Sequence, residues 1–122
     1  MQKKLPRLLL SLSAVIMAVG GLSHAKAFDK TLAAVAESDL AIFFANSLKA
    51  LWLIDSATLL TLSVVFGLIA ARPNLATRPV IIVLAAIPAA TAVLLYAFLG
   101  MFIPAHVLLI SAIAAIVSGV LW

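Results

Sequence analysis

Four apolar stretches, each close to the roughly 20 residues that a membrane span requires, constrain this chain more than any other feature. A helix rises about 1.5 Å per residue, so such a stretch crosses a hydrocarbon core of about 30 Å. Lipid offers the backbone no hydrogen bonds, and a helix satisfies all of its own. The sequence therefore predicts an all-α fold, a four-helix transmembrane bundle with spans at 5–23, 50–71, 79–99 and 103–122.

Composition supports the same class of protein. Hydrophobic residues make up 66% of the 122-residue chain and charged residues 10%, whereas about 25% charged residues is usual in soluble domains. We expect a single membrane domain over residues 1–122, with an extramembrane loop at 24–49. The net charge of +4 is split among short flanks, which argues against a nucleic-acid partner. The chain has no cysteine, so disulfides and thiolate metal ligands are excluded.

The positions of lysine and arginine predict the orientation. Lys3, Lys4 and Arg7 precede the uncharged part of the first span, which begins at Leu8, and Arg72 and Arg78 flank the link between the second and third spans. Loops rich in these residues stay on the cytoplasmic side. We therefore expect both termini in the cytoplasm and loop 24–49 outside. In a bacterium this places the chain in the inner membrane, with the lipid bilayer as its main partner.

A second interpretation of the amino end is a secretory signal peptide. The basic residues before position 8 form an n-region, the apolar stretch forms an h-region, and Ala25-Lys26-Ala27 matches an Ala-x-Ala cleavage pattern. Cleavage there would remove residues 1–27 and leave three spans. The apolar stretch is longer than a typical h-region, which favours a retained first span.

Loop 24–49 is too long for a simple turn, so we predict that it is partly helical. Ser38 and Asp39 are residues that cap helices at their start, and the apolar residues after them repeat at helical spacing. A helix running from there to residue 71 would exceed the thickness of the bilayer core. Its first turns would then lie along the membrane surface, with Phe43, Phe44 and Trp52 as aromatic anchors, or would form a lid over a pocket.

Four polar side chains fall at one predicted height in the membrane. Counted along each helix from the basic flank or from the terminal Trp122, His24, Asp55, Tyr96 and His106 lie at about 25, 25, 27 and 24 Å. A carboxyl group in hydrocarbon usually faces the bundle interior and marks a relay, an ion path or a ligand site. We predict a polar cluster of these four residues, with Asn46 and Lys49 as further members, that is either ligand-binding or structural.

The sequence carries no catalytic or metal-site signature. It lacks the HExxH, CxxCH, GxGxxG and GxSxG patterns. We therefore predict no catalytic residues and no metal ligands, and an enzyme has no support. Two histidines on different helices at similar depth could ligate a haem iron from both faces. We predict no bound cofactor, and haem and quinone are the two that the polar cluster could accommodate.

A family resemblance follows from the layout. The run Gly20-Gly21-Leu22-Ser23-His24, a partly helical outer loop and the run Lys49 to Asp55 entering the second span resemble small four-helix bacterial inner-membrane proteins. In layout the chain is also distantly similar to DoxX-like proteins. Some members of that family are tied to quinone-linked redox chemistry, so the resemblance implies a quinone-associated role. It transfers no site residue.

The expected function is that of a small non-enzymatic membrane protein. We predict an accessory subunit or a binder of a lipid-like or quinone-like ligand at the polar cluster. Two alternatives are a redox component associated with quinone or haem, and a proton-coupled carrier that uses Asp55. Small residues at four-residue spacing, as in Ser111-x-x-x-Ala115-x-x-x-Gly119, form either internal seams or the face of a homo-oligomer or larger membrane complex.

Overall fold

The structure is a computed structural model that describes residues 4–122. Within this range the chain is helical and contains no strand. The helices are α1 (Lys4–Lys26), α2 (Phe28–Ala36), α3 (Ile42–Ala71), α4 (Arg78–Leu99) and α5 (Ile103–Leu121), and a 3-10 turn at Pro73–Leu75 links α3 to α4. The predicted all-α bundle is confirmed. The helix expected to start in the first loop and run to residue 71 is α3, and α2 is an additional helix in that loop.

Four segments of the described range are long and apolar enough to cross a membrane, namely α1 with its continuation into α2, then α3, α4 and α5. Large apolar side chains remain exposed along these helices, among them Val15 on α1, Val64 on α3, Val83 on α4 and Ile110 on α5. Such a surface matches lipid rather than water. The chain is therefore a small multi-pass membrane protein in contact with the bilayer.

Proline and glycine determine where the last two helices begin and end. A proline occupies the first turn of α4 and of α5, where the missing N–H costs no hydrogen bond. Gly100 ends α4 with a φ of 76°, a conformation that residues with a Cβ rarely adopt. These breaks make α4 and α5 adjacent antiparallel helices.

Helix α1 lies at the centre of the packing order. It contacts α3 on one side and α5 on the other, while α4 packs on α5 and the short α2 packs against α3. All four long helices contribute to one buried core, which includes Met17 from α1, Phe66 from α3, Ile81 from α4 and Leu108 from α5. The neighbour order is thus α3, α1, α5, α4.

Serine hydroxyls join α1 to both of its neighbours inside the core. Ser13 Oγ and Ser111 Oγ are 2.8 Å apart, and Ser13 Oγ also lies 2.9 Å from the Ser111 carbonyl oxygen. Ser63 donates to the Ala14 carbonyl at 2.7 Å, and Ser118 donates to the Pro6 carbonyl at 2.7 Å. In an apolar interior such hydrogen bonds fix the register of neighbouring helices.

The small-residue seam of α5 is internal. Ser111, Ala115 and Gly119 are all buried, and a Cβ built on Gly119 would lie 2.8 Å from Ile82 Cγ1 of α4. Ala86 and Ala90 of α4, which have the same four-residue spacing, are exposed. The α5 seam is therefore internal, with Ser111 packed against Ser13 of α1 and Gly119 against Ile82 of α4.

The start of α3 differs from the expected one. Helix α3 begins at Ile42, and its first residue is preceded by Ala41, which forms no side-chain cap. Ser38 instead donates its hydroxyl to the Val35 carbonyl at 2.7 Å, at the end of α2. The prediction that Ser38 and Asp39 cap α3 was therefore wrong, because Ser38 satisfies a free carbonyl of the preceding helix.

Side-chain hydrogen bonds join the helix ends at one end of the bundle. At this end, Arg7 Nε donates to the Ala70 carbonyl at 2.7 Å, and Trp122 Nε1 donates to the Ala76 carbonyl at 3.2 Å. These bonds gather the start of α1, the end of α3, the start of α4 and the end of α5. We call this the basic end, and the opposite end, which carries His24 and His106, the histidine end.

Candidate functional site

His24 is the centre of a polar cluster at the histidine end. It lies in the last turn of α1, and its Nδ1 is 2.8 Å from Ser56 Oγ of α3. Its Nε2 is 3.6 Å from Asp55 Oδ2. The His24 side chain is 27% exposed and the Asp55 side chain 37% exposed, so the pair is accessible from the surface of the bundle. A ligand group could reach both without opening the core.

Trp52 holds the His24 ring in place. The indole and imidazole rings are stacked with centroids 4.0 Å apart and an interplanar angle of 12°. The indole Nε1 donates to the His24 carbonyl oxygen at 2.8 Å, which satisfies one of the free carbonyls at the end of α1. Ring stacking and this hydrogen bond together tie the last turn of α1 to α3.

The Ser56 hydroxyl connects the imidazole to the backbone of α3. Its oxygen lies 2.8 Å from His24 Nδ1 and 3.1 Å from the Trp52 carbonyl oxygen. The other ring nitrogen faces the Asp55 carboxyl group. Nδ1 is thus held by the protein, while Nε2 and Asp55 face each other at the accessible side.

Tyr96 and His106 form a second pair. The tyrosine lies near the end of α4 and the histidine near the start of α5, and the Tyr96 hydroxyl is hydrogen-bonded to His106 Nδ1. Their ring centroids are 5.4 Å apart. The tight turn at Gly100 brings them together across ten residues. This pair links α4 to α5 at the histidine end.

The predicted cluster is thus divided into two pairs. Within residues 4–122, no hydrogen bond, ion pair or ring contact joins His24 and Asp55 to Tyr96 and His106. Asn46 is exposed, Lys49 is half-buried, and neither bonds to the other four residues in the described range. Helical rise explains this, because Asn46 lies about 13 Å and Lys49 about 9 Å before Asp55 along α3.

A cleft lies next to the first pair, between α2 and α3. Its volume is about 380 Å³. Helix α2 contributes Lys30, Thr31, Ala34 and Val35 to the lining, and α3 contributes Leu48 and Trp52. The lining is mostly apolar, and Lys30 is its charged member. Trp52 therefore belongs both to the wall of the cleft and to the polar cluster around His24.

The role of Trp52 was the part of the site that sequence reasoning missed, because the residue was predicted only as an interfacial anchor. The spacing of Trp52 relative to its neighbours in the sequence could have revealed this role. Trp52, Asp55, Ser56 and Leu59 follow the i, i+3, i+4, i+7 pattern of one helix face. Ser56 and Leu59 are buried and Asp55 and Trp52 half-buried, so this face of α3 is directed toward the bundle.

The two histidines belong to different pairs. His24 Nδ1 is bonded to Ser56, and its Nε2 faces Asp55. His106 Nδ1 is bonded to Tyr96. In each histidine Nε2 is the nitrogen that could ligate a haem iron, and in His24 this nitrogen lies 3.6 Å from Asp55 Oδ2. In the part of the chain that is described, no three His, Cys, Asp or Glu side chains come together as a metal-binding group.

Comparison with known proteins assigns no family to this chain. No family model matches the chain, and neither a curated protein nor a solved structure matches it. The similarity in layout to DoxX-like proteins stays a prediction.

Proposed function

We propose that this chain is a small non-enzymatic accessory protein of a bacterial inner membrane that binds an amphiphilic, lipid-like or quinone-like ligand at its histidine end. The proposal rests on Trp52, which belongs both to the polar cluster and to the wall of the cleft. Its indole stacks on His24 and also lines the apolar cleft beneath α2. A ligand with a polar head and an apolar tail matches this combination, because binding sites are mostly apolar with a few placed polar groups.

The polar head has suitable partners. His24 Nε2 and Asp55 Oδ2 lie 3.6 Å apart and are partly accessible, and Lys30 adds a positive charge and hydrogen-bond donors to the lining of the cleft. A quinone carbonyl or a lipid headgroup oxygen accepts hydrogen bonds from such donors. The apolar lining from Ala34, Val35 and Leu48 suits an isoprenoid or acyl tail. The resemblance to DoxX-like proteins supports a quinone as one member of this class.

The proposed orientation places the basic end in the cytoplasm. Lys4, Arg7, Arg72 and Arg78 lie at that end, in agreement with the rule that positive flanks stay inside. All four acidic side chains of the chain, Asp29, Glu37, Asp39 and Asp55, belong to the other end. The ligand site then faces the outer leaflet and the periplasm.

Filling the cleft is expected to abolish tight binding. In the variant Ala34→Phe a benzyl side chain replaces a methyl group that lines the cleft. We expect the affinity for a benzoquinone with a ten-carbon tail to fall by at least about tenfold, equivalent to about 1.4 kcal/mol. Quenching of Trp52 fluorescence measures this in the purified protein, with Trp122→Phe as the common background. The matched control is Ala33→Phe, an exposed neighbour on α2 outside the cleft lining.

Equal quinone affinities of the Ala34→Phe and Ala33→Phe variants would contradict a site in this cleft. Native mass spectrometry of the unmodified protein tests the wider proposal. The expected spectrum contains the protein with one retained quinone or lipid, or with a partner subunit. A bare monomer in every gentle detergent would overturn the proposal.

A proton-coupled carrier is the second candidate, and the accessible contact between Asp55 and His24 favours it. If Asp55 carries the proton, Asp55→Asn should reduce proton flux in vesicles to the level of empty vesicles. Asp39→Asn removes an exposed acid of the same loop region and should leave the flux unchanged. The accessory-protein proposal expects no flux above background in any of the three proteins.

A further inference from the structure

A second cleft opens between α1 and α3 at the basic end, far from the histidine cluster. Its volume is about 380 Å³. Helix α1 contributes Lys4, Arg7, Leu8 and Ser11, and α3 contributes Gly67 and Ala70. The cleft is therefore lined by two cations and a hydroxyl group, and small residues form its floor.

The two cations of this cleft have no carboxylate partner in the chain. Neither Lys4 nor Arg7 forms an ion pair within residues 4–122, and all four acidic side chains lie toward the other end. Arg7 is nevertheless fixed, because its Nε donates to the Ala70 carbonyl at 2.7 Å. The terminal guanidinium nitrogens remain as donors, and such a fork matches the oxygens of a phosphate group.

The floor of the cleft is space that the protein itself does not fill. A Cβ built on Gly67 would have no atom within 4 Å. Gly67 lies four residues before Ala71, so it lies about 6 Å deeper in the membrane than the end of α3. The cleft thus runs from two cations at the boundary toward an apolar furrow at the depth of lipid chains.

We propose that this cleft is a specific site for an anionic phospholipid of the adjacent leaflet. The phosphate group lies against Lys4 and Arg7, and one acyl chain lies in the furrow over Gly67 and Leu8. Charge complementarity favours this occupant, because anionic headgroups are attracted to basic residues at the membrane surface. The proposal does not depend on the function proposed for the histidine end or on which leaflet the basic end faces.

Gly67→Leu tests the furrow without disturbing the protein, since the new side chain extends into open space. Gly20→Leu is the matched control, because a Cβ on Gly20 also has no atom within 4 Å and Gly20 does not line this cleft. We expect native mass spectrometry of the full chain with dioleoylphosphatidylglycerol to show one retained lipid. Retention should fall at least about tenfold in Gly67→Leu, equivalent to 1.4 kcal/mol, and stay unchanged in Gly20→Leu.

The headgroup requirement has its own comparisons. Lys4→Gln removes a charge that forms no hydrogen bond within the described residues, and it should weaken retention of phosphatidylglycerol by several-fold. Dioleoylphosphatidylcholine should be retained much less than phosphatidylglycerol. Equal retention of the two lipids, or full retention by Gly67→Leu, would overturn the proposal. Displacement of the lipid by equimolar inorganic phosphate would also overturn it, because that result identifies a phosphate site without an acyl part.

Discussion

Gly119→Leu is expected to destabilise the bundle by about 3 kcal/mol, at the upper end of the usual cost of overpacking. Even the first added atom would lie 2.8 Å from Ile82 Cγ1, 3.2 Å from Ile81 Cγ2 and 3.4 Å from the Ile82 backbone nitrogen. A side chain can rotate away, but a backbone atom moves only with its helix. Helices α4 and α5 must therefore separate at this point.

Reversible unfolding in mixed detergent micelles measures this loss, with Gly20→Leu as the control. Gly20 is also a helical glycine, but its Cβ position is open. We expect its replacement to change the free energy of unfolding by no more than about 1 kcal/mol, in the direction of higher helix propensity. Similar losses in both variants would mean that α4 and α5 do not approach closely at Gly119.

The sequence predicted the last two helices almost to the residue because their boundaries have local chemical causes. The predicted spans 79–99 and 103–122 correspond to Arg78–Leu99 and Ile103–Leu121. Proline favours a helix start, and Gly100 adopts a backbone conformation that ends one. These preferences act within a few residues, so they can be read without the fold.

The first half of the chain was predicted less well, since hydropathy marks the edge of the lipid and not the end of a helix. The predicted first span ended at 23, whereas α1 continues to Lys26. Gly20 and Gly21 do not stop it, and Gly21 instead allows contact with Leu59 and Leu60 of α3. Polar residues outside the apolar core can remain helical where the next helix packs on them.

The arrangement of the site shows a similar division. Height along a membrane helix follows from residue count, and on that basis all four residues, His24, Asp55, Tyr96 and His106, were assigned to one level. Residue count does not show which helices are neighbours, because adjacency depends on packing across the whole bundle. Because α1 lies between α3 and α5 and α4 packs only on α5 among the strong contacts, the polar residues meet as two pairs.

Trp52→Ala should be the most damaging single change at the histidine end, with an expected loss of about 3 kcal/mol in the free energy of unfolding. The variant loses the ring stacked 4.0 Å from the His24 imidazole and the 2.8 Å hydrogen bond to the His24 carbonyl. It also removes one wall of the cleft beneath α2. Trp52→Phe keeps an aromatic ring but loses the donor, so we expect a smaller loss of about 1 kcal/mol.

Leu53→Ala is the matched control for this prediction, because Leu53 is the next residue of α3 and is 46% exposed. Its replacement should cost less than about 1 kcal/mol, since an exposed side chain that already contacts lipid loses little packing. Hydrogen exchange distinguishes local from global effects. In Trp52→Ala the amides near His24 should exchange faster, while those near Ser13 and Ser111 keep their protection. Equal stabilities of Trp52→Ala and Leu53→Ala would contradict this prediction. The indole would then not anchor α1 to α3.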